Sequence, residues 1–404
     1  MVSGKTESQM EWCAAGIAMA ECKTAYQDPP RFLACPDIFK ALILESRAHA
    51  ASDVYIQADS PVCAMINGRM LALTNRPLDT DEVKNILEWV AGRPTALTDI
   101  LTQRAVNARY IINDPDKRAP NGAHIQYAYR VNAVPVYGAG GVSAQIVMRT
   151  IPSDPPDWQT VGLSPEILRA ATPENGIVYI GGSTGSGKTT TFAAIIRHIL
   201  ETPKAEAVIH GNLITIEEPI EFTYRNIRSE HSILKQSQVP EHFASFKDGV
   251  REAMRRSPRL VLIGELRDAE TISAARELAL TGHPVYATVH VTNVAGALPR
   301  LVSRFDQAER ATMVFDLIDT VRLIMVQKLV RGVDDKLLAA REHLVFDQKI
   351  RDELIALGDI GRVTERIRQL VREHSNGHSF ATEGKRLLEE GKIDASVAEK
   401  LLHS

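Results

Sequence analysis

The sequence predicts an α/β protein built on a parallel sheet and preceded by a smaller α+β unit. Beyond residue 160, short apolar runs rich in β-branched residues alternate with helical patterns, which is typical of parallel strands covered by helices on both faces. Before residue 150, helical and strand-like patterns mix instead. Pro152, Pro155 and Pro156 separate the two regions, because proline interrupts either periodicity.

Four regions follow from these patterns. Residues 1–30 show little periodicity and are expected to form a weakly ordered extension. We expect an α+β domain over 31–150, a linker over 151–160, and an α/β domain that ends in charged helices over 161–404. A chain of 404 residues is long for one core and comfortable for two.

The elements of the first domain are predicted from the spacing of apolar residues and from turn residues. Asp79 or Thr80 suits the N-cap of a helix. In chain order we expect a helix at Pro36–Ala48, a strand at Ser52–Gln57, a hairpin over Val62–Leu73 turning at Asn67–Gly68, a helix at Asp79–Val90, and paired strands at Gln126–Val136 and Val142–Arg149 around the turn Gly138–Gly141.

The second domain should contain buried strands joined by helices. A helix begins near Lys188 and buries Phe192, Ile195, Ile196 and Ile199. The predicted strands are Ile177–Ile180, Leu213–Ile216, Arg259–Ile263, Val285–His290 and roughly Leu344–Asp347.

Charge and cysteine content exclude several classes of protein. Lys and Arg total 47 against 50 Asp and Glu, so a broad electrostatic attraction to nucleic acid is not expected. The cysteines, Cys13, Cys22, Cys35 and Cys63, form no C-x-x-C pair, which argues against a disulfide scaffold or a zinc ribbon. No apolar run approaches the ~20 residues of a membrane span. We expect a cytoplasmic protein without membrane insertion, which reaches the inner membrane through partners.

A phosphate-binding loop stands between the first strand and helix of the second domain. Gly182–Thr189 fits G-x-x-x-x-G-K-[ST] in the strand–loop–helix context that gives the motif its meaning. Its backbone N–H groups would surround a nucleoside triphosphate. Lys188 would bridge the β- and γ-phosphates, and the Thr189 hydroxyl would ligate Mg²⁺. The predicted binding residues are Gly182, Ser183, Thr184, Gly185, Ser186, Gly187, Lys188, Thr189 and Thr190.

Hydrolysis requires acidic residues near this loop, and two strand ends offer them. Glu217 follows Leu213–Ile216, and Glu265 follows a run that should be fully buried, so both lie where α/β sites form. His290 would emerge at the same edge and contact the γ-phosphate. His283, which precedes the same strand, is a further candidate for nucleotide binding. An exposed loop or an ordinary strand end remains the alternative for these residues.

The motifs together resemble the secretion and type IV pilus ATPases. The P-loop, Ile216–Phe222, Leu262–Asp268 and Thr281–His290 resemble the Walker A, Asp-box, Walker B and His-box of that family in order and spacing. The resemblance extends from about Ala51 to the C-terminus and is greatest for the branch of pilus-retraction, Dot/Icm-secretion and plasmid-transfer motors. Further shared pieces are Tyr129–Asn132, Met148–Pro152, Arg267–Ile272, Val321–Leu323, Gln327–Leu329, Glu342–Phe346 and Ile350–Asp352.

This resemblance implies a homo-hexameric ring of protomers, each with a PAS-like N-terminal domain and a RecA-like ATPase domain. ATP with Mg²⁺ would lie between the domains, near a neighbouring subunit. By position, Glu217 would polarise the attacking water and Glu265 would support Mg²⁺ through its hydration shell. Arg130 and Arg149 would approach the phosphates and stabilise the charge of the transition state. The partners implied are inner-membrane and cytoplasmic components of a secretion or transfer apparatus.

The sequence departs from the pattern of this family at three places. Glu218 stands where the family usually has aspartate, an N-domain arginine between Arg130 and Arg149 is missing, and residues 1–30 have no family counterpart. No cysteine follows Cys63, so the four-cysteine zinc insertion of the pilus-assembly motors is absent.

Several functions remain open. The leading one is a motor for type IVB secretion or conjugative plasmid transfer; the alternatives are a pilus-retraction motor and a nucleotide-binding switch or scaffold without significant turnover. A GTPase would need an N-K-x-D loop after the later strands, and none occurs there. The arginine cluster at 251–259 lacks interleaved aromatic residues and suits a subunit interface, so direct nucleic-acid binding is not predicted.

Overall fold

The computed structural model describes residues 35–66, 69–118, 122, 124–138, 141–151, 154–373 and 376–403. The chain divides into two compact units, one that ends at Ser153 and one from Asp154 to Ser404. The expected extension over 1–30 and the expected turn at Asn67–Gly68 lie outside the described residues.

The first unit is an antiparallel sheet with helices packed on one face. In chain order its elements are α1 (Pro36–Ala48), β1 (Ala51–Ile56), β2 (Cys63–Ile66), β3 (Arg69–Ala72), α2 (Thr80–Ala91), α3 (Ala96–Leu101), β4 (Val106–Arg118), β5 (His124–Gly138) and β6 (Gly141–Ile151). The strand order is β3-β2-β1-β6-β5-β4. Phe39 of α1 and Ile86 of α2 share a buried core with Tyr129 and Val131 of β5. Residues that alternate with this core along each strand lie on the opposite face.

Most predicted elements of this unit are confirmed. α1 spans the predicted residues, β5 and β6 pair as expected, and β2 pairs with β3 as an antiparallel hairpin. Asp79 is the N-cap of α2, where its side chain accepts from the Glu82 N–H while the Glu82 carboxylate accepts from the Asp79 N–H. This reciprocal capping box satisfies helix donors that would otherwise lack partners. The sequence patterns did not predict α3 or β4.

The second unit is an α/β sandwich. Its elements are α4 (Pro165–Ala170), β7 (Gly176–Gly181), α5 (Lys188–Glu201), β8 (Gly211–Glu217), β9 (Ser232–Gln238), α6 (Phe246–Met254), β10 (Pro258–Ile263), α7 (Ala269–Leu280), β11 (Pro284–Val289), a 3-10 turn (Val294–Gly296), α8 (Ala297–Val302), α9 (Arg310–Thr320), β12 (Val321–Arg331), β13 (Leu337–Val345), α10 (Gln348–Leu357), α11 (Ile360–Arg372), β14 (Gly377–His378), α12 (Phe380–Glu389) and α13 (Ala395–Leu402).

The sheet of this unit is parallel except at one edge. Its strand order is β14-β13-β12-β7-β11-β10-β8-β9, and neighbours from β12 to β9 run parallel. β13 and β14 pair antiparallel, so the predicted parallel sheet carries an antiparallel edge that the sequence patterns did not indicate. The reason is the short connection 332–336 between β12 and β13, because parallel neighbours need a much longer crossover.

Both faces of this sheet are buried, as predicted. Along β7, Ile177 and Tyr179 belong to one hydrophobic core, and Val178 and Ile180 belong to the other. The parallel register brings the carboxyl ends of β7, β8, β10 and β11 to one edge of the sheet, where α/β proteins place their sites. Among the helices that the structure describes, none is both long and apolar enough to cross a membrane.

Candidate functional site

The glycine-rich loop connects the end of β7 to the start of α5. Gly182, Gly185 and Gly187 have φ values of 145°, 77° and 83°, a region that favours glycine. A side chain at Gly182 would also place its Cβ 2.6 Å from the Gln327 carbonyl oxygen. The glycines therefore allow the backbone turn that directs N–H groups toward one point. α5 is held behind the loop by buried apolar residues that include Phe192, so its N-terminus is fixed in direction.

Lys188 is the first residue of α5 and is 9% exposed. Its ammonium donates to the carbonyl oxygens of Gly182 at 3.0 Å and Ser183 at 2.8 Å. Burial lowers the pKa of Lys188, whereas the charges of Glu265 and Glu221 raise it. A partly desolvated ammonium inside a loop of N–H donors is an arrangement that suits an anion.

Gln327 on β12 joins that strand to the glycine-rich loop. It is 1% exposed and donates to the Ser186 carbonyl at 2.5 Å, and it accepts from the Thr191 hydroxyl at 2.9 Å. Sequence reasoning noted Gln327 only as part of a family match and gave it no role. Its signal was an amide side chain directly after the apolar strand run 323–326, since buried amides are nearly always hydrogen-bonded.

Glu217 ends β8 and Glu221 follows it four residues later, and the two acids have different surroundings. Glu217 is 5% exposed and accepts from the Thr215 hydroxyl at 2.5 Å and from the Gln236 amide at 3.0 Å. Its charge adds to burial in raising the pKa of Tyr224, so the two side chains lie close together. Glu221 is exposed, and its charge acts on Lys188. Sequence reasoning selected Glu217 and overlooked Glu221.

A charged network joins the ends of β8, β10 and β11. Arg267 donates from Nη1 to Glu218 and from Nε to Glu265, each at 2.7 Å. The Nε2 atom of His290 lies 3.2 Å from the other Glu265 oxygen. The structure therefore brings Glu265 and His290 together, as expected. It also pairs Glu218, whose role the sequence left open, with Arg267, which sequence reasoning did not select.

The structure does not bring His283 to the glycine-rich loop of the same chain. His283 precedes β11, whose first residue pairs with Gly176 at the start of β7, while His290 follows the end that pairs with Gly181. The length of the strand, roughly 20 Å, therefore separates the two histidines. Within one chain His283 lies at the opposite edge of the sheet from the glycine-rich loop, and its contribution to nucleotide binding stays a prediction.

The loop fits a triphosphate with Mg²⁺. The donor set consists of backbone N–H groups at a helix N-terminus, the Lys188 ammonium and the Thr189 hydroxyl, which is the combination that binds the phosphates and metal of a nucleotide. The buried Ser186 hydroxyl has no hydrogen-bond partner in the described chain, so the loop retains a polar group for a ligand or water.

A cavity of about 320 Å³ lies directly beside this loop. Its lining includes Gly187, Thr190 and Gln327, together with Arg341 of β13 and Arg386 of α12. Leucine side chains of the β12–β13 hairpin and of α12 supply apolar surface. This volume lies within the range of pockets that hold small organic ligands.

Arg130 and Arg149 belong to the first unit, where they face each other across β5 and β6. The register extends the row, because Arg109 of β4 pairs with Arg130, and Asp53 of β1 pairs with Arg149. Arg149 donates from Nε to the largely buried Asp53 carboxylate at 2.8 Å. Like charges directly opposite one another destabilise a sheet, so this row is better suited to meeting an anion than to stabilising the fold. Sequence reasoning missed Arg109.

Comparisons with known proteins agree with this geometry. A family model described as "Type II/IV secretion system protein" matches residues 38–395. The solved ATPase DotB of Yersinia pseudotuberculosis is 44% identical with a TM-score of 0.80, covering 96% of this chain and 98% of its own. DotB of Legionella pneumophila is 40% identical with a TM-score of 0.81, covering 91% and 96%. The type IV pilus retraction ATPase PilT of Pseudomonas aeruginosa is 29% identical over 77% of this chain and 83% of its own length. The protein belongs to the type II/IV secretion system protein family.

Proposed function

We propose that this protein is a hexameric ATP-hydrolysing motor of a type IVB secretion or conjugative plasmid transfer system. Two relatives that align over more than nine-tenths of the chain are ATPases called DotB. Pro284 and the stretch Ser237–Pro240 also look more like the type IVB branch than like the pilus-retraction branch. The motor would work at the cytoplasmic side of the inner membrane, with membrane and cytoplasmic partners of the apparatus.

The observation that carries the proposal is that one edge of the sheet holds the glycine-rich loop with the buried Lys188 ammonium and also Glu265, which is held by Arg267 and His290. The glycine-rich loop ends in a buried ammonium, and carboxylates from two different strand ends, Glu221 and Glu265, act on its charge. A binding protein needs only the loop and the lysine. Carboxylates on the same side add the groups that hydrolysis requires, namely one to orient water and one to organise the metal.

Each residue of the site has a separate role in ATP hydrolysis. When bound, ATP with Mg²⁺ supplies the phosphoanhydride bond to be cleaved and the positive charge that offsets the phosphate oxygens. Lys188 and the loop N–H groups would hold the phosphates, and the Thr189 hydroxyl would be the protein ligand for the metal. Glu265, held in place by Arg267 and His290, would accept hydrogen bonds from water bound to the metal.

We assign the orientation of the attacking water to Glu221 rather than to Glu217. A general base must have a carboxylate oxygen open to the water whose proton it accepts. Glu217 is 5% exposed and its Oε1 accepts from both Thr215 and Gln236, so water has little access to this carboxylate. Glu221 is exposed, and its charge acts on Lys188. Glu217 then shapes the end of β8 and acts on catalysis indirectly.

The matched variants Glu217→Gln and Glu221→Gln test this assignment. We expect Glu221→Gln to lower turnover by about 10²-fold or more while ATP affinity survives, the size typical of losing one catalytic group. Glu217→Gln should mainly lower the melting temperature and reduce turnover by less than tenfold. A collapse of turnover in Glu217→Gln alone would restore the sequence-based assignment. Unchanged turnover in both variants would favour a nucleotide-binding scaffold.

A pilus-retraction motor is the second candidate, favoured by the likeness to PilT over 77% of the chain. A deletion strain scored in parallel for conjugation, protein translocation and twitching separates the two. Loss of twitching with normal transfer would overturn the secretion and conjugation proposal.

A further inference from the structure

The cavity beside the glycine-rich loop is completed by the C-terminal helices of the chain. Arg386 of α12 lines it together with Gly187 and Thr190, and Leu387 of the same helix adds apolar surface. When the loop binds the phosphates of a nucleotide, the sugar and the base must lie in the neighbouring space. This cavity lies next to the loop, and its apolar lining suits a flat organic ring better than a second phosphate.

Arg386 is held in place by a buried acid. Its guanidinium binds Glu383 through two parallel contacts, Nε and Nη2 each at 2.9 Å, while Nη1 reaches Glu390 at 2.6 Å. Glu383 is 4% exposed and also receives His378 Nε2 at 2.9 Å. Burial opposes its ionisation, yet the hydrogen bonds from His378 and Arg386 outweigh burial and lower the pKa of Glu383 to about 2. The Arg386 side chain remains 44% exposed, so one face stays available.

The other arginine that lines the cavity is hydrogen-bonded to the backbone of the protein. Arg341 is buried and donates to the carbonyl oxygens of Gly162 at 2.9 Å and Val161 at 2.6 Å. The Gly162 N–H is bonded to the Gln159 carbonyl. The two Nη groups of Arg341 are therefore engaged within the protein, whereas its Nε has no hydrogen-bond partner among the described residues. Thr160, Thr190 and Lys392 add polar groups to the lining, and the exposed planar guanidinium of Arg386 is the group suited to stack on a ring.

We propose that the base of the bound nucleotide stacks against Arg386, so that helix α12 forms part of the nucleotide site. This inference rests on the proposed function, because it takes the ligand of the loop to be a nucleoside triphosphate. Stacking on a guanidinium uses the ring face that all bases share, so Arg386 should strengthen binding of adenine and guanine nucleotides alike. It should contribute nothing to an inorganic polyphosphate bound in the loop.

The test is calorimetric binding to the full-length protein in Mg²⁺, with AMP-PNP, GMP-PNP and inorganic tripolyphosphate as probes. We expect Arg386→Ala to weaken AMP-PNP and GMP-PNP by about tenfold, the size of a partly desolvated cation–π contact. Tripolyphosphate should stay within about twofold, since it has no base to stack. Lys385→Ala is the matched control: Lys385 is an exposed cation on the same helix and does not line the cavity, and all probes should bind it normally.

A second variant distinguishes the loss of base stacking from a structural effect of Arg386→Ala. Removing Arg386 leaves Glu383 with a buried charge, so Glu383→Gln combined with Arg386→Ala removes both charges. Restored AMP-PNP affinity in this double variant would overturn the proposal, because the base contact would still be missing. Unchanged AMP-PNP affinity in Arg386→Ala, or an equal loss for tripolyphosphate, would also overturn it. If wild type binds none of the probes, the proposed function fails as well.

Discussion

Replacing Gln327 by alanine tests whether β12 holds the glycine-rich loop in shape. The side chain makes hydrogen bonds to Ser186 and Thr191, and the residue is nearly inaccessible to water. Alanine removes both bonds and leaves a buried carbonyl and a buried hydroxyl without their partner. An unsatisfied buried polar group costs about 1–3 kcal/mol, so two together predict a loss of roughly 2–4 kcal/mol after partial relaxation.

The assay is thermal unfolding of the nucleotide-free protein, followed by calorimetric titration with AMP-PNP. For a unit of this length, each kcal/mol shifts the melting temperature by about 2–4 °C, so the expected decrease is roughly 10 °C. AMP-PNP should bind more weakly, because the loop carbonyl at Ser186 is no longer fixed. Thr191→Val is the control that removes one of the two bonds, and it should lower the melting temperature by less than Gln327→Ala.

Two results would refute this reasoning. A melting temperature within 2 °C of wild type, together with normal AMP-PNP affinity, would mean that the loop keeps its shape without β12. Additive effects in the double variant Gln327→Ala/Thr191→Val would mean that the two side chains do not act on one another, since contacting residues should show coupling.

Two further predictions concern pH and the arginine row. Burial, with the nearby charge of His378, lowers the pKa of His343 to about 4, so its neutral form is favoured in the folded state. The stabilisation from neutral His343 should be present above pH 6.5, and the free energy of unfolding should fall by roughly 2–3 kcal/mol as the pH drops toward 4.5. Denaturant unfolding at a series of pH values measures this decrease, and His343→Gln should make it smaller. The same decrease in His343→Gln as in wild type would contradict the reasoning. Arg130→Ala should lower ATP turnover by about 10²-fold with near-normal AMP-PNP affinity. Asp53→Asn removes the charge that holds Arg149 and should lower turnover about 2–5-fold. Equal effects of the two variants would reject the proposed roles.

The elements that sequence patterns predicted best are those whose stabilising interactions are local. The helix cap at Asp79 and the hairpin between β5 and β6 depend on residues close in the chain, and both are confirmed. β9 and β12 escaped prediction for different reasons. β9 (Ser232–Gln238) is an edge strand in which polar residues outnumber apolar ones, so its strand character comes from pairing with β8. β12 directly follows α9 at Val321, so the sequence offers no turn residue to separate them.

The position of a site along the chain was predictable, whereas the direction of its side chains was not. Placing Glu217 at the carboxyl end of β8 was correct, and this end lies at the edge of the sheet that carries the glycine-rich loop. Strand alternation then puts Glu217 on the same face as Leu213 and Thr215, toward the buried Tyr224, because successive side chains point to opposite faces. Glu221 lies beyond the strand, where no periodicity governs its direction, and there its charge reaches Lys188. A strand-end acid is therefore a stronger catalytic candidate when it lies past the last paired residue than when it is that residue.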